Sequence, residues 1–200
     1  MTDRHGSVRL SQVPEADDLL SRDPLALLIG MLLDQQFPME RAFAGPYLLA
    51  ERLGVARLDA AELAAVDSDR LVDVFRGPPA LHRYPGSMAA RVQALCRLLI
   101  ERYDGSAEQL WSTADSGPEL RRRIAELPGF GDQKARIFLA LLGKQFAVRP
   151  EGWREAAGSY GDEGTTFSIA DVTGPESLAA VRAHKQEMKA KAKAETKAPG

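Results

Sequence analysis

The residues of this chain that could do chemistry are concentrated in one segment, LPGFGDQKARIFLALLGKQ, at positions 127–145. The segment has the pattern of a tight glycine turn followed by a helix, and the first turn of that helix carries Lys134 and Arg136. The start of a helix is its positive end, where backbone N–H groups lack partners and cations are disfavoured. Gly129 and Gly131 permit close contacts that a Cβ would block. The segment therefore predicts a phosphate site; the alternative is a structural corner between two helices with a surface lysine.

The charge of the chain is unevenly distributed along the sequence. The formal net charge is −2 over 200 residues, which argues against a general polyanion-binding protein. Residues 116–154 nevertheless hold eight basic residues against four acidic ones, an excess of four positive charges. Any surface that binds nucleic acid is therefore expected to be local and to include this segment.

The elements that position this segment are predicted to be helices almost throughout. Asp23 and Pro24 provide a cap and a first residue for an apolar helix, which Pro38 interrupts. Gly54 ends the next predicted helix, and a last helix starts at about Pro175. The chain has no run of alternating β-branched residues that would build a sheet, so the sequence predicts an all-α fold.

The composition also limits the cofactors and the compartment. Cys96 is the single cysteine, which excludes an internal disulfide, a cysteine-rich zinc site and a four-cysteine iron–sulfur cluster. His5, His82 and His184 share no metal-ligand spacing, so no metal site is predicted from them. The longest apolar stretch, residues 24–33, is about half the length that crosses a bilayer. We therefore expect a cytoplasmic protein without a membrane partner.

Three segments resemble one protein family in their order and spacing. LPGFGDQKA resembles the helix-hairpin-helix signature of the base-excision DNA glycosylases, the HhH-GPD superfamily. The apolar helix that ends at residues 33–36, LDQQ, resembles the first core helix of that family. Residues 84–91 resemble its Gly-x-x-x-Lys-Ala segment, although Ala89 stands where lysine is usual. The resemblance covers residues 23–153 and indicates a small member without an iron–sulfur cluster.

The resemblance implies how DNA is held and which reaction follows. In members that also cleave the sugar–phosphate backbone, a lysine two residues after the second hairpin glycine forms a Schiff base. Gln133 occupies that position here, and Lys134 lies about 100° further round the helix. The resemblance therefore implies a monofunctional glycosylase that uses water to hydrolyse the N-glycosidic bond, without lyase activity. The residues expected to contact DNA are Gly129, Gly131, Lys134, Arg136, Gln35 and Gln36. The alternative for the two glutamines is a C-terminal helix cap. Gln133 is a further candidate for the catalytic site, expected to contact the extruded base or a phosphate, and its alternative is a solvated helix residue.

A carboxylate and two aromatic residues complete the predicted site. The family carries an aspartate that stabilises the developing sugar cation or activates water, and Glu151 stands 18 residues after Gln133, at the expected spacing. Arg149 is expected to pair with Glu151, and Asp171 is a second candidate for the carboxylate. The alternative for Glu151 is a surface salt bridge at a helix start. Trp153 and Tyr84 are candidates for the wall on which an extruded base stacks, with a place in the core as the alternative.

The expected organisation is two helical subdomains with a DNA-binding cleft between them. Residues 23–143 form the core subdomain that ends in the hairpin, and residues 1–22 with 144–185 form the second. Residues 186–200 are a tail rich in lysine and alanine that is expected to be disordered. The expected partner is double-stranded DNA that contains a damaged base, bound by a monomer. No cofactor takes part in the chemistry, although the resemblance allows Na⁺ or K⁺ at the hairpin carbonyls.

Two other functions remain open at this point. The first is a non-catalytic protein on the same scaffold that binds DNA lesions or unusual DNA structure, since both the lysine and the aspartate of the family are replaced. The second is an all-α interaction module whose apolar cleft holds a partner helix. A DNA affinity that falls steeply with salt separates the two DNA-binding functions from the module.

Overall fold

The computed structural model describes residues 8–195, and within that range it contains eleven α-helices and no strand, which confirms the predicted all-α class. Two short 3-10 helices, at Gly158–Gly161 and Ile169–Asp171, lie between the last two α-helices. The α-helices are α1 (Pro14–Arg22), α2 (Pro24–Leu33), α3 (Met39–Leu53), α4 (Ala60–Ala65), α5 (Ser68–Arg76), α6 (Pro85–Tyr103), α7 (Ala107–Ser112), α8 (Gly117–Ala125), α9 (Asp132–Gln145), α10 (Trp153–Ala157) and α11 (Pro175–Glu195).

The ends of α2 and α3 follow from local side-chain chemistry. The carboxylate of Asp23 accepts hydrogen bonds from the backbone N–H groups of Leu25 and Ala26, as expected of a helix cap. The same side chain accepts from the N–H of Leu58 at 2.9 Å, which joins the start of α2 to the loop before α4. Gly54 ends α3 with a φ of 72°, a conformation in which glycine is favoured.

Helix α2 lies at the centre of the core. Every residue from Leu25 to Leu33 is buried, which is the pattern of a helix surrounded on all sides by other elements. Gly30 allows the ring of Phe43 on α3 to approach, since a Cβ on that glycine would lie 2.8 Å from Phe43 Cδ1. The C-terminal end of α2 is therefore held in place by the elements packed around it.

Helices α8 and α9 pack side by side as an antiparallel pair, and a tryptophan lies at the end of the pair that is opposite the connecting turn. Trp153 contacts both helices, because a Cβ on Gly117 would lie 2.5 Å from its Cα and a Cβ on Gly143 would lie 2.3 Å from its ring. Gly117 begins α8 and Gly143 lies near the end of α9. The turn at residues 126–131 therefore lies at the opposite end of the pair from Trp153, and α8 is about 13 Å long.

Two of the expected boundaries fall inside helices, and the third, at residues 22–23, falls between α1 and α2. Helix α9 continues past residue 143 to Gln145, and α11 continues past residue 185 to Glu195. The buried apolar residues from Val8 to Val181 form one cluster, so the two predicted subdomains share a core, and the division itself stays a prediction. Residues 1–7 of the second subdomain and residues 196–200 of the expected tail lie outside the described residues. No helix in residues 8–195 is long and apolar enough to span a membrane.

Candidate functional site

The turn between α8 and α9 is pressed against the end of α2. Gly129 has a φ of +80°, and a Cβ at this position would lie 2.5 Å from Leu32 Cδ1. The N–H of Phe130 donates to the carbonyl of Leu127 at 3.0 Å and closes the turn. Both the conformation and the close approach therefore require glycine at position 129.

The start of α9, unlike the tightly packed turn before it, has space around its backbone. Gly131 is extended, with a φ of −179°, and a Cβ built on it meets nothing within 4 Å. No side chain caps the helix, and within the described residues the N–H groups of Asp132, Gln133 and Lys134 have no acceptor. No atom of residues 8–195 therefore requires glycine at position 131, and its missing side chain leaves space beside the three N–H donors.

Lys134 crosses from α9 to the end of α2. Its Nζ donates to the carbonyls of Met31 at 2.9 Å and Leu32 at 3.3 Å, and lies 5.5 Å from the centre of the Phe130 ring. Burial lowers the pKa of Lys134 to about 8. Its charge therefore lies at the negative end of α2, and this is the reason why a cation follows the start of α9. The predicted contact from Lys134 to a phosphate is not supported by this arrangement.

Asp34 is partly buried close to Lys134, and its surroundings, which include Glu40 and Lys185, are hereafter called the recess. Asp34 ends α2, and burial raises the pKa of its carboxyl, an effect that the charges of Lys185 and Lys134 oppose and that of Glu40 reinforces. The end of a helix is itself unfavourable for a carboxylate. The recess therefore brings together the end of α2, the start of α9, the start of α3 and the middle of α11.

Gln35 is held by two residues that are distant from it in the sequence, His82 and Arg91. Its Oε1 accepts from Arg91 Nη1, and its carbonyl accepts a 2.9 Å hydrogen bond from His82 Nε2. His82 Nδ1 in turn accepts from the N–H of Tyr84 at 3.1 Å, and burial lowers the His82 pKa. A neutral ring protonated on Nε2 satisfies both contacts. The segment before α6 therefore fixes the backbone of Gln35 through His82, and α6 itself fixes its side chain through Arg91.

Gln36 and Tyr84 lie exposed beside Gln35. Gln36 has a φ of +52°, and its side chain is in solvent. The ring of Tyr84 is 5.9 Å from that of His82, and Tyr84 is 47% exposed with Arg83 stacked on it at 4.9 Å. The structure thus brings Tyr84 close to the predicted glutamines, as a surface aromatic rather than as part of the core.

Two arginines flank the start of α9. Arg121 Nε on α8 donates to Asp132 Oδ1 at 2.8 Å, and Arg136 Nε lies 3.0 Å from Asp132 Oδ2. The hydrogen bond from Arg121 is the main cause that lowers the pKa of the Asp132 carboxyl. Arg136 therefore lies close to the start of α9, and Asp132 places a negative charge between the two arginines.

Gln133 faces away from Lys134. Its Nε2 donates to the hydroxyl of Tyr160 at 3.0 Å, and its side chain is exposed. Tyr160 belongs to the first 3-10 helix, which packs on α9. Gln133 and Lys134 thus lie on different faces of the helix, as the 100° step predicts.

Glu151 lies at the other end of the helix pair. Its carbonyl accepts a 2.7 Å hydrogen bond from the N–H of Gly117, where α8 begins, and its side chain is exposed. Arg149 Nε donates to the carbonyl of Gly143 at 2.8 Å, and no ion pair in residues 8–195 joins Arg149 to Glu151, so the expected pairing is wrong. Glu151 is therefore separated from Gln133 by about the length of α8.

Trp153 and Asp171 are also explained by the packing. Trp153 is 8% exposed, and its ring covers Gly143, so it belongs to the core and not to a wall beside the turn. The Asp171 carboxylate lies 2.6 Å from Lys144 Nζ and accepts from the N–H of Phe167 at 2.8 Å. A carboxylate held by these partners has a structural role.

No family model, curated protein or solved structure matches this chain. The geometry is therefore the basis for the functional assignment. Of the predicted site residues, it brings together those at the end of α2, before α6 and at the start of α9, and it separates Glu151 and Trp153 from them. The first group is Gln35, Gln36, Tyr84, Gly129, Gly131, Gln133, Lys134 and Arg136.

Some residues of this surface were not predicted as site residues. Asp34 and Arg91 stand within the segments that resemble the family, and their polar character beside apolar helices was a usable signal. Tyr160 and Lys185 carry no local signal, because only the packing of distant segments brings them to α9 and Asp34.

The turn is also compatible with the cation that the resemblance allows. Within the described residues, no hydrogen-bond donor reaches the carbonyls of Pro128 and Gly129. Backbone carbonyls are the ligands that a hard monovalent cation accepts in such a turn. No group of three His, Cys, Asp or Glu side chains in residues 8–195 is arranged to hold a metal ion.

Proposed function

We propose that this protein binds duplex DNA and removes a damaged base as a monofunctional DNA glycosylase in base-excision repair. The observation that carries the proposal is the position of the uncapped start of α9 beside the end of α2, where Asp34 and Gln35 lie. A site for a DNA phosphate, a residue that can enter the base stack and a recessed carboxylate are thereby close to one another.

The DNA backbone binds at the start of α9. Three free N–H groups and the positive end of the helix favour a phosphate there, and Gly131 leaves the approach open. Arg121 and Arg136 add positive charge on either side. A cation at the carbonyls of the turn would supply a further positive charge to the same phosphate.

Gln35 and Gln36 fill the space that an extruded base leaves in the duplex. Extrusion requires a side chain that replaces the stacking and pairing of the lost base. Gln35 is pre-organised by Arg91 and His82, which reduces the entropy lost on insertion. Gln36 lies exposed next to it, and its amide can bond to the orphaned partner base.

Asp34 is the carboxylate that the geometry offers for hydrolysis. The C1′–N bond breaks, its electron pair leaves on the base, and the oxygen of water forms the new bond to C1′. An ionised Asp34 stabilises the sugar cation and accepts the proton of the water, while Lys134 and Lys185 favour its charged form. Asp34 takes the role that the spacing in the sequence predicted for Glu151, since Glu151 lies at the far end of α8.

A second candidate function is non-catalytic binding of DNA lesions. Two observations favour it. Gln133, at the position of the family lysine, forms a hydrogen bond to Tyr160, and Glu151 lies at the far end of α8 from Gln133. Such a protein would bind damaged duplexes with a steep salt dependence and release no base.

The experiment that tests the proposal has two parts. Fluorescence anisotropy with damaged and undamaged duplexes over a range of salt measures binding, and incubation with duplexes that carry alkylated, oxidised, deaminated or crosslinked bases measures abasic sites. The proposal requires salt-dependent binding and base release from at least one class of lesion. The absence of DNA binding would overturn both candidate functions.

A further inference from the structure

The second half of α11 projects beyond the body of the protein. Leu178 and Val181 are buried, and Arg182 forms an ion pair with Glu40 of α3. From Lys185 to residue 194 every described side chain is exposed. The last packed turn of α11 therefore lies against the start of α3, next to the recess that holds Asp34.

The charges of this projecting segment are divided between two faces of the helix. Lys185, Lys189 and Lys193 follow one another at intervals of four residues and lie on one side. Glu187 and Lys191 repeat the same interval two residues further on, about 200° round the helix. One face, hereafter the lysine stripe of Lys185, Lys189 and Lys193, is purely basic. The opposite face is mixed.

The lysine stripe continues the face by which α11 packs on the body. Arg182 precedes Lys185 by three residues and follows Leu178 by four, so the buried leucine and the ion pair to Glu40 lie on that face. The stripe therefore extends from the edge of the candidate site and covers about 12 Å from Lys185 to Lys193. Within the described residues, none of its three lysines takes part in an ion pair.

We propose that the lysine stripe binds the phosphate backbone of duplex DNA, alongside the part of the duplex that lies on the start of α9. The inference rests on the proposed function, because it needs DNA at that site. It is supported by the continuity of the stripe with the site through Lys185, whose charge influences both Asp34 and Lys134. It is also supported by charge complementarity, since three lysines lie on one helix face of a chain of net charge −2 and form no ion pair within residues 8–195.

The same residues argue against a membrane as the partner. An interfacial helix buries a face of bulky apolar side chains. Between Lys185 and Glu195 the apolar residues are alanines and Met188, and alanine contributes little to burial in lipid. This composition fits a polyanionic partner that is bound through electrostatic attraction alone.

The test compares single lysine-to-glutamine variants on the two faces. Glutamine keeps the helix propensity of lysine and removes the charge, so circular dichroism is expected to be unchanged. We expect Lys189→Gln to reduce the slope of log K against log salt by about one for an undamaged duplex. Lys191→Gln on the opposite face is the matched control and is expected to leave the slope unchanged. The variant with all three stripe lysines replaced is expected to bind roughly tenfold more weakly at low salt, with a slope lower by about three.

The remaining outcomes separate this inference from the proposed function. If the unmodified protein binds DNA and Lys189→Gln and Lys191→Gln have equal effects, the lysine stripe is not a defined contact and the inference is wrong. If the triple variant binds DNA like the unmodified protein, the inference is wrong and the proposed function stands. If the unmodified protein binds anionic vesicles but no duplex, both are wrong.

Discussion

Lys134 Nζ donates a 2.9 Å hydrogen bond to the carbonyl of Met31, 103 residues earlier in the chain. The bond joins the start of α9 to the end of α2, where the free carbonyls of a helix concentrate negative charge. It therefore holds the two surfaces of the candidate site together. A lysine that resembles a phosphate ligand in the sequence is a structural link in the fold.

The pH dependence of stability reports on this link. The pKa of Lys134 is about 8 in the folded protein, against 10.5 for an ordinary lysine. Between these two values the unfolded state binds more protons than the folded state, so the free energy of unfolding rises with pH in that window. We expect Lys134→Met to lack this rise. Denaturant unfolding at pH values below and within the window measures it, with exposed Lys189→Met as the control that keeps the rise.

The two glycines of the turn are expected to respond differently to alanine. Gly129→Ala forces a Cβ against Leu32 at a positive φ, and we expect it to lower the free energy of unfolding by about 1–3 kcal/mol. Gly131→Ala meets no atom, so we expect stability within about 1 kcal/mol of the unmodified protein and weaker DNA binding. Chemical denaturation and anisotropy measure the two effects. A stable Gly129→Ala would contradict the close approach of the turn to α2.

Removing the charge of Asp132 is expected to strengthen DNA binding. Its carboxylate lies between Arg121 and Arg136 at the start of α9, where it repels a phosphate and holds both guanidinium groups. We expect Asp132→Asn to bind an undamaged duplex more tightly, most clearly at low salt. The matched control is Asp115→Asn, an exposed residue just before the start of α8, and it is expected to leave the DNA affinity unchanged. Weaker binding by Asp132→Asn would place the phosphate elsewhere.

The type of reaction can be read from covalent trapping. Gln133 has no amine to form a Schiff base, and Lys134 Nζ is engaged by the carbonyls of Met31 and Leu32. We expect borohydride to trap no adduct between the unmodified protein and a damaged duplex. Gln133→Lys is expected to yield no adduct either, because residue 133 faces Tyr160 and not Asp34. An adduct with the unmodified protein would contradict simple hydrolysis.

Local features of the fold could be predicted from the sequence, because they depend on neighbouring residues. Helix α2 was expected to continue to the break at Pro38, but it ends at Leu33. The cap by Asp23, the end of α3 at Gly54 and the start of α11 at Pro175 are confirmed. Each depends on the backbone preference or hydrogen bonding of one or two residues. The extent of α11 was underestimated, since a run of lysine and alanine is compatible with both helix and disorder.

The composition of the candidate site was less accessible from the sequence. Counting along the chain leads to Glu151, but the backbone bond to Gly117 holds it at the far end of α8. Burial raises the pKa of Asp34, and the charges of Lys134 on α9 and Lys185 on α11 oppose this rise. Such burial arises from contacts between distant segments, so no local pattern shows which carboxylate of the chain is recessed.

The most direct test of the central claim is single-turnover base release from the lesion duplexes by the unmodified protein, Asp34→Asn and Glu151→Gln. We expect the unmodified protein to form abasic sites, and Asp34→Asn to bind the duplex equally well but release base slower by on the order of 10² or more, because one preorganised charge is lost from the transition state. Glu151→Gln is expected to keep the unmodified rate, since residue 151 is distant from the recess. Tight, salt-dependent binding by the unmodified protein without base release from any lesion would contradict the proposal that this protein is a glycosylase.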